Sequence, residues 1–259
     1  MSEERLRIIR DLVRTTYQDP RVVSRYAEVG LWPAEEILLL EYGTDEGRVL
    51  DIGCGAGRTS VPLREMGFDV TAIDLSPSMV ELSKDVATAC EVDIDFRVMD
   101  AMDLQFANDQ FDLALFSYNG MELLPGREGK MRAMREINRV LKPGGHFIFS
   151  SHSPFALNEF APLRVRTFLK YALGQLLPLP IREREFGERF SDRDDEEVKY
   201  IQILPPSTLI HMLKRCGFAV DYFNTRNRLE AQRPWGWPGV FEDGERMYVA
   251  RKDTAIPEV

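Results

Sequence analysis

The sequence predicts an α/β fold built on a mostly parallel sheet, and three observations lead there. From Arg48 onward, short apolar runs of strand length alternate with stretches of helical period. The helical stretches carry recognisable starts and stops, such as Ser76-Pro77 and Lys142-Pro143-Gly144-Gly145. The chain has 259 residues, 44% of them hydrophobic and 29% charged, which is enough to bury one large core.

The elements follow in order. Residues 1–47 read as short helices broken at Pro20, Gly30 and Pro33, with Leu6, Ile9, Val13 and Tyr17 on one face, placed to cover the first strand as a lid. Strands are expected at Val49 to Ile52, Val70 to Ile73, Ile94 to Val98, Phe111 to Phe116 and His146 to Ser150. Between them, Ser76 caps a helix that has Pro77 at its first position and Met79, Leu82 and Val86 on one face. Met131, Met134, Ile137 and Leu141 mark another, which proline and paired glycines stop at 142–145. Residues 152–205 differ in character, running through Phe168 to Leu173 and Leu176 to Ile181, and read as an insertion that caps the site. In residues 206–259, Ser207 is expected to cap a helix ending at Gly217, before strands at Phe218 to Phe223 and Met247 to Ala250. There is no internal repeat or linker, so residues 1–259 form one domain with the core at 48–151.

The formal charge of −9 and pI near 5.1 disfavour a phosphate-backbone ligand, whose affinity would come from Lys and Arg. Small molecules are the better expectation. Cys54, Cys90 and Cys216 lie far apart with no Cys/His cluster, so no metal site is expected and a reducing cytoplasm fits. The acidic start Ser2-Glu3-Glu4 lacks a signal pattern, and no apolar run reaches the roughly 18 to 20 residues of a span, so stable membrane insertion is not expected.

The strand ending in Asp51 runs into Gly53, Gly55 and Gly57, where backbone can approach a ligand closely. Such a turn also serves purely structural ends. Asp74 lies 23 positions later at the end of the second strand, suited to accepting from both hydroxyls of a ribose or to opening the next helix. Asp100 follows the third strand, where an acid can meet an adenine amino group or merely turn a loop. The pattern GxGxG, with Arg58 and Thr59 after it, departs from the dinucleotide fingerprint GxGxxG.

With these residues in view, the sequence resembles the class I S-adenosylmethionine (SAM) dependent methyltransferases, in particular the small-molecule group containing ubiquinone and sterol enzymes. Val49-Leu50-Asp51-Ile52-Gly53-Cys54-Gly55-Ala56-Gly57 looks like the family's first motif, and Asp74-Leu75-Ser76-Pro77-Ser78-Met79 like its acidic second-strand end. Asp100-Ala101, Phe111-Asp112-Leu113 and Leu141 to Gly145 complete the series. The resemblance covers residues 48 to about 151, and it implies a Rossmann-like sheet of order 3-2-1-4-5-7-6 with strand seven antiparallel.

It implies roles as well. Asp51, Gly53, Cys54 and Gly55 would surround the methionine part of SAM, with Cys54 contributing position rather than thiol chemistry. Asp74 would hold the ribose, Leu75 and Met79 would flank the adenine, and Asp100, Ala101 and Met102 would meet its edge. Ser117 and Tyr118 would line the reactive side, and Tyr26 is a candidate lid contact to the cofactor. S-adenosylhomocysteine would be the product.

Methyl transfer from a sulfonium rests largely on orientation and desolvation. A neutral acceptor benefits from a base, and His152, just past the fifth strand, is the candidate, although it can equally cap a loop. Asn119 and Glu122 could meet a polar acceptor or turn the chain. His146 starts a strand and His211 sits on an outer helix face. Arg164, Arg166, Lys170, Arg182, Arg184 and Arg189 among apolar residues fit an anionic or amphipathic acceptor, a membrane surface, or a solvated helix. Two other readings stay open: a SAM-binding scaffold without turnover, and a nicotinamide-dependent oxidoreductase, which the GxGxG spacing disfavours.

Overall fold

A computed structural model describes residues 1–18, 30–177, 179–191 and 199–253. The main sheet contains β1 (Arg48–Ile52), β2 (Asp69–Asp74), β3 (Asp95–Val98), β4 (Phe111–Phe116), β5 (Leu141–Ser151), β8 (Phe218–Thr225) and β9 (Arg246–Lys252). A separate antiparallel hairpin is made by β6 (Glu188–Phe190) and β7 (Tyr200–Gln202). The seven-stranded order is β3-β2-β1-β4-β5-β9-β8. Strands β1 to β5 pair in parallel, and β9 runs antiparallel to both β5 and β8. This is the expected order 3-2-1-4-5-7-6, with β8 and β9 as strands six and seven.

Along β1 and β5, neighbouring residues feed opposite faces, because side chains alternate across a strand. Leu50, Phe147 and Phe149 join one apolar core with Met134, Ile137, Leu209 and Leu213. Val49 and Ile148 join the other with Leu38, Leu63, Val80 and Val249. Both faces are therefore covered, as a parallel sheet requires.

The helices are α1 (Glu3–Thr16), α2 (Pro33–Tyr42), α3 (Ser60–Glu65), α4 (Pro77–Ala89), α5 (Gly126–Val140), α6 (Ala161–Leu176), α7 (Pro206–Arg215) and α8 (Arg226–Glu230). Ser76 caps α4, its Oγ accepting from the Met79 amide at 3.4 Å, with Pro77 at the first position as expected. Ser207 does not cap α7. The cap residue is Pro205, in extended geometry, and the ring of Pro206 sets the first helical φ, so Ser207 falls within the first turn. Among the described N-terminal residues, α2 packs against the β1 face through Ala34, Leu38 and Leu39, joined by Leu31 just before it. The stripe of α1 meets the hairpin instead, Ile9 and Val13 packing on Tyr200 with Leu123 and Phe190 alongside.

Lys142 to Gly145 is a bulge inside β5 rather than a turn ahead of it. Pairing with β4 passes from Phe111 and Leu141 directly to Leu113 and His146, so the four intervening residues loop outward. Gly144 takes φ +80° there, and the Lys142 ammonium grips both oxygens of Asp112 at 2.7 and 2.8 Å. Among the described residues no helix is long and apolar enough to cross a membrane.

Candidate functional site

The strand order reverses between β1 and β4, and in open α/β sheets ligands gather at the carboxyl edge of that switch point. The loop after β1 lies there. Gly53 and Gly55 adopt φ +63° and +55°, a region costly for other residues. A Cβ on Gly53 would stand 2.8 Å from the Phe116 ring, whereas nothing lies within 4 Å of one on Gly55, so that backbone faces open space. The Cys54 amide ties the loop to β2 through the Ile73 carbonyl at 3.0 Å. Burial pushes the Cys54 thiol well above its usual range, leaving it unsuited to thiolate chemistry.

Three carboxylates surround the loop, and burial raises each of them. Asp51 is buried beneath the loop, where its Oδ2 accepts from Thr59 Oγ1 at 2.7 Å and Ser60 Oγ at 2.6 Å. Its Oδ1 has no partner among the described residues. Burial drives its pKa up to about 6 against the pull of the two hydroxyls. Asp74 accepts from the amides of Gly55 at 3.0 Å and Ser76 at 2.8 Å, yet burial still lifts it. Two backbone bonds leave lone pairs on both oxygens for further donors. Asp100, also raised by burial, accepts from the Met102 amide at 2.9 Å, with Arg10 of α1 at 3.5 Å. Three destabilised carboxylates around one space favour a cation.

The other wall is built around Arg58. Its guanidinium lies 5.2 Å from the Trp32 ring centre and 5.4 Å from that of Tyr118. It donates to Gly30 O at 2.7 Å, Glu35 Oε1 at 2.7 Å and Ser117 Oγ at 2.6 Å. Glu35 is fully buried and also bonds Ser117 Oγ and the Trp32 amide. Tyr118 and Asn119 are consecutive left-handed residues, φ +49° and +61°, that swing the chain away after β4. Gly120 then passes under Phe116, where a Cβ would overlap the ring at 2.0 Å.

One cleft results, enclosing about 1070 Å³ of empty space counted out to solvent. Eleven residues expected from the sequence line it: Gly53, Cys54, Gly55, Asp74, Leu75, Met79, Asp100, Ala101, Met102, Ser117 and Tyr118. Asp51 lies below the loop. Asn119 is not in the lining, and its amide donates to Ser150 Oγ at 2.9 Å. Tyr26 lies outside the described residues. His152 is not in the lining either, because Glu122 draws it aside: Nδ1 is 3.1 Å from Glu122 Oε2, and the His152 amide also bonds that carboxylate. Burial depresses the His152 pKa, but the charge of Glu122 and its hydrogen bond outweigh this and the net shift is upward. The sequence reading missed Arg10, Val13 and Arg14 on α1, Phe116, and Arg58 itself, all of which line the cleft. Only Arg58 left a signal, as the charged residue directly after the glycines.

A family profile described as "Methyltransferase domain" matches residues 49–145, the span that carries the loop and the bulge. The chain is 30% identical over 199 residues to demethylmenaquinone methyltransferase of Staphylococcus aureus (strain MRSA252), an alignment covering 74% of each protein. The chain belongs to the class I SAM-dependent methyltransferases. Other relatives, including a demethylmenaquinone methyltransferase of Paenarthrobacter aurescens (strain TC1) and a ubiquinone biosynthesis O-methyltransferase of Xanthomonas oryzae pv. oryzae (strain PXO99A), are matched over less than half of their own length.

Solved methyltransferases share the fold. A SAM-dependent methyltransferase of Methanosarcina mazei superposes with TM-score 0.68 at 22% identity, covering 88% of this chain and 100% of that one. A Burkholderia thailandensis 1,6-didemethyltoxoflavin-N1-methyltransferase, solved with S-adenosylhomocysteine, gives TM-score 0.62 at 18% identity over 98% of this chain and 91% of that one. For a member of this family SAM is the cofactor, and the nicotinamide reading is set aside. The site suits that choice: open space over Gly55, an orphaned Asp51 oxygen and three burial-raised acids fit a ligand carrying an ammonium and a sulfonium.

Proposed function

We propose that the cleft binds SAM and that the protein transfers its methyl group to a small-molecule acceptor. The observation carrying this reading is the convergence of the Gly53–Gly55 backbone, Asp74 and Asp100 on one cleft, where burial raises both carboxylates and Asp74 is met by backbone amides alone. When bound, SAM supplies a methyl group on a positively charged sulfur that is already a good leaving group. In the proposed pose the loop amides and Asp51 hold the methionine end, Asp74 accepts from the ribose hydroxyls, and Leu75 and Met79 pack the adenine. Asp100, Ala101 and Met102 meet the adenine edge, while Ser117 and Tyr118 flank the reacting end.

Orientation and exclusion of water carry the transfer in this reading. His152 holds the loop after β5 through Glu122 and is assigned no proton-transfer role. The insertion acts as a cap, a role supported by its hairpin, where Tyr200 and Phe190 press on Val13 and Leu123 and these two wall the cleft. Small acceptors such as quinols fit the relatives' names.

Calorimetry with S-adenosylhomocysteine tests the binding pose. Asp74→Ala should weaken binding roughly tenfold to a hundredfold, the worth of hydrogen bonds to a charged group. Unchanged affinity would overturn it. Label transfer from methyl-labelled SAM into a metabolite extract tests turnover, and tight binding without transfer would instead support a binding protein.

A further inference from the structure

Helix α6 breaks the rule that an amphipathic helix turns its apolar stripe inward. None of its 16 residues is buried. Val165, Leu169, Leu173 and Leu176, spaced i, i+4, i+8 and i+11, share one face, and they are 59%, 54%, 46% and 79% exposed. The side toward the protein carries Arg164, Thr167 and Tyr171, with Tyr171 packed edge-on against Phe186 at 6.2 Å. Arg166 and Lys170, both exposed, border the outward stripe, and Lys170 lies 3.7 Å from Glu183.

Other apolar side chains before the helix and in the segment bonded to it are exposed as well. Phe160 at its N-terminus and Leu157 before it are 55% and 71% exposed. The Leu157 amide bonds the Phe241 carbonyl at 2.9 Å, and Trp237, 76% exposed, packs edge-on against Phe241 at 6.3 Å. An exposed apolar stripe of this kind marks an interaction site.

We propose that this face binds the surface of an anionic phospholipid bilayer, peripherally and reversibly. Charge decides the occupant. Helix α6 has three basic residues, Arg164, Arg166 and Lys170, and no acidic one, although the whole protein carries −9. A lone basic, apolar segment on an acidic protein complements anionic headgroups while its stripe enters the headgroup boundary. A second copy fits poorly, because a twofold contact sets a patch against itself and would oppose Arg166 and Lys170 to their own equivalents. Trp237 supplies a side chain suited to the interface.

Vesicle flotation tests this with phosphatidylcholine alone and with phosphatidylcholine mixed with phosphatidylglycerol. The protein should float with mixed vesicles, detach as salt rises, and stay unbound to pure phosphatidylcholine. Leu169→Glu with Leu173→Glu, and separately Arg166→Glu with Lys170→Glu, should each lower partitioning at least about tenfold. S-adenosylhomocysteine affinity should stay unchanged in both, which confirms folding. Should either variant fold poorly, hydrogen exchange on the unaltered protein decides, with vesicle-induced protection expected in residues 160–177. No flotation with mixed vesicles, full partitioning by both variants, or protection elsewhere would overturn the proposal. So would a dimer in sedimentation that Leu169→Glu with Leu173→Glu disperses, since a second copy would then cover the patch.

Discussion

The carboxyl edge of the sheet and helix α6 handle apolar and charged groups in opposite ways. At the edge, Glu35 has no exposed surface and bonds Arg58, Ser117 and the Trp32 amide, while Asp74 fixes two backbone amides. On α6 no residue is buried and the apolar stripe points outward. On the proposed function the edge holds SAM, and each contact there is held by several others. Helix α6 owes little of its position to its own burial, which suits a surface that works against something outside the chain.

The largest expected effect breaks the edge. Replacing Glu35 by Ala takes the carboxylate from Arg58, which is only 17% exposed, and removes four bonds to three partners together. Loss of one partner from a buried pair typically costs about 3–5 kcal/mol, and urea unfolding should show a fall of that order. A fall under about 1 kcal/mol would mean that the wall around Arg58 is not rigid.

Next comes pH. Asp51 has a pKa raised to about 6, so in the free protein its ionisation is disfavoured, and the stability lent by its protonated form is lost as pH rises through 6. A cationic ligand beside Oδ1 reverses the preference and requires the carboxylate. Affinity for S-adenosylhomocysteine, which keeps the ammonium, should hold steady above pH 6 and fall toward a limit of about tenfold per unit below it. Asp51→Asn should flatten the profile. A flat profile in the unaltered protein would separate Asp51 from the ligand.

The edge was legible in the sequence where its chemistry is local. The Gly53–Gly55 turn, Asp74 and Asp100 sit at strand ends set by apolar runs, so spacing alone put them on one side of the sheet. Contacts made across the fold left no such trace. Arg10 and Arg14 reach the cleft because α1 packs on the Tyr200 hairpin, and no periodicity in residues 1–18 names that partner. The period of α6 was visible, but not which way its stripe faces, since period reports a face and not its neighbour. His152 illustrates the same gap. Its place after β5 suggested the reacting edge, and the Glu122 carboxylate that turns it aside lies 30 positions earlier.

The His152–Glu122 pair gives a smaller effect with a definite sign. The folded pKa of His152 is raised, so its contribution to stability is complete below the unfolded value near 6.5 and fades as pH rises through the folded value. The side chain is 39% exposed, which screens the pair and limits its worth to about 1 kcal/mol at most. His152→Gln should therefore cost more stability at pH 5.5 than at pH 9, by chemical denaturation at each. Methyl transfer should stay within a few-fold of the unaltered protein. A collapse of turnover with stability intact would restore His152 as a base.

The smallest expected effect bears on the comparison most directly. Leu50 has no exposed surface and Leu173 is 46% exposed on the outward stripe of α6. Truncating a buried leucine costs about 2–5 kcal/mol, because transfer energy and a cavity add. An exposed position away from special contacts usually stays within about 0.5 kcal/mol. Leu50→Ala should therefore lower the urea midpoint strongly and Leu173→Ser hardly at all. A large loss from Leu173→Ser would mean that the stripe is covered by the protein itself, and the outward face of α6 would then belong to the fold, with nothing left for a partner to bind.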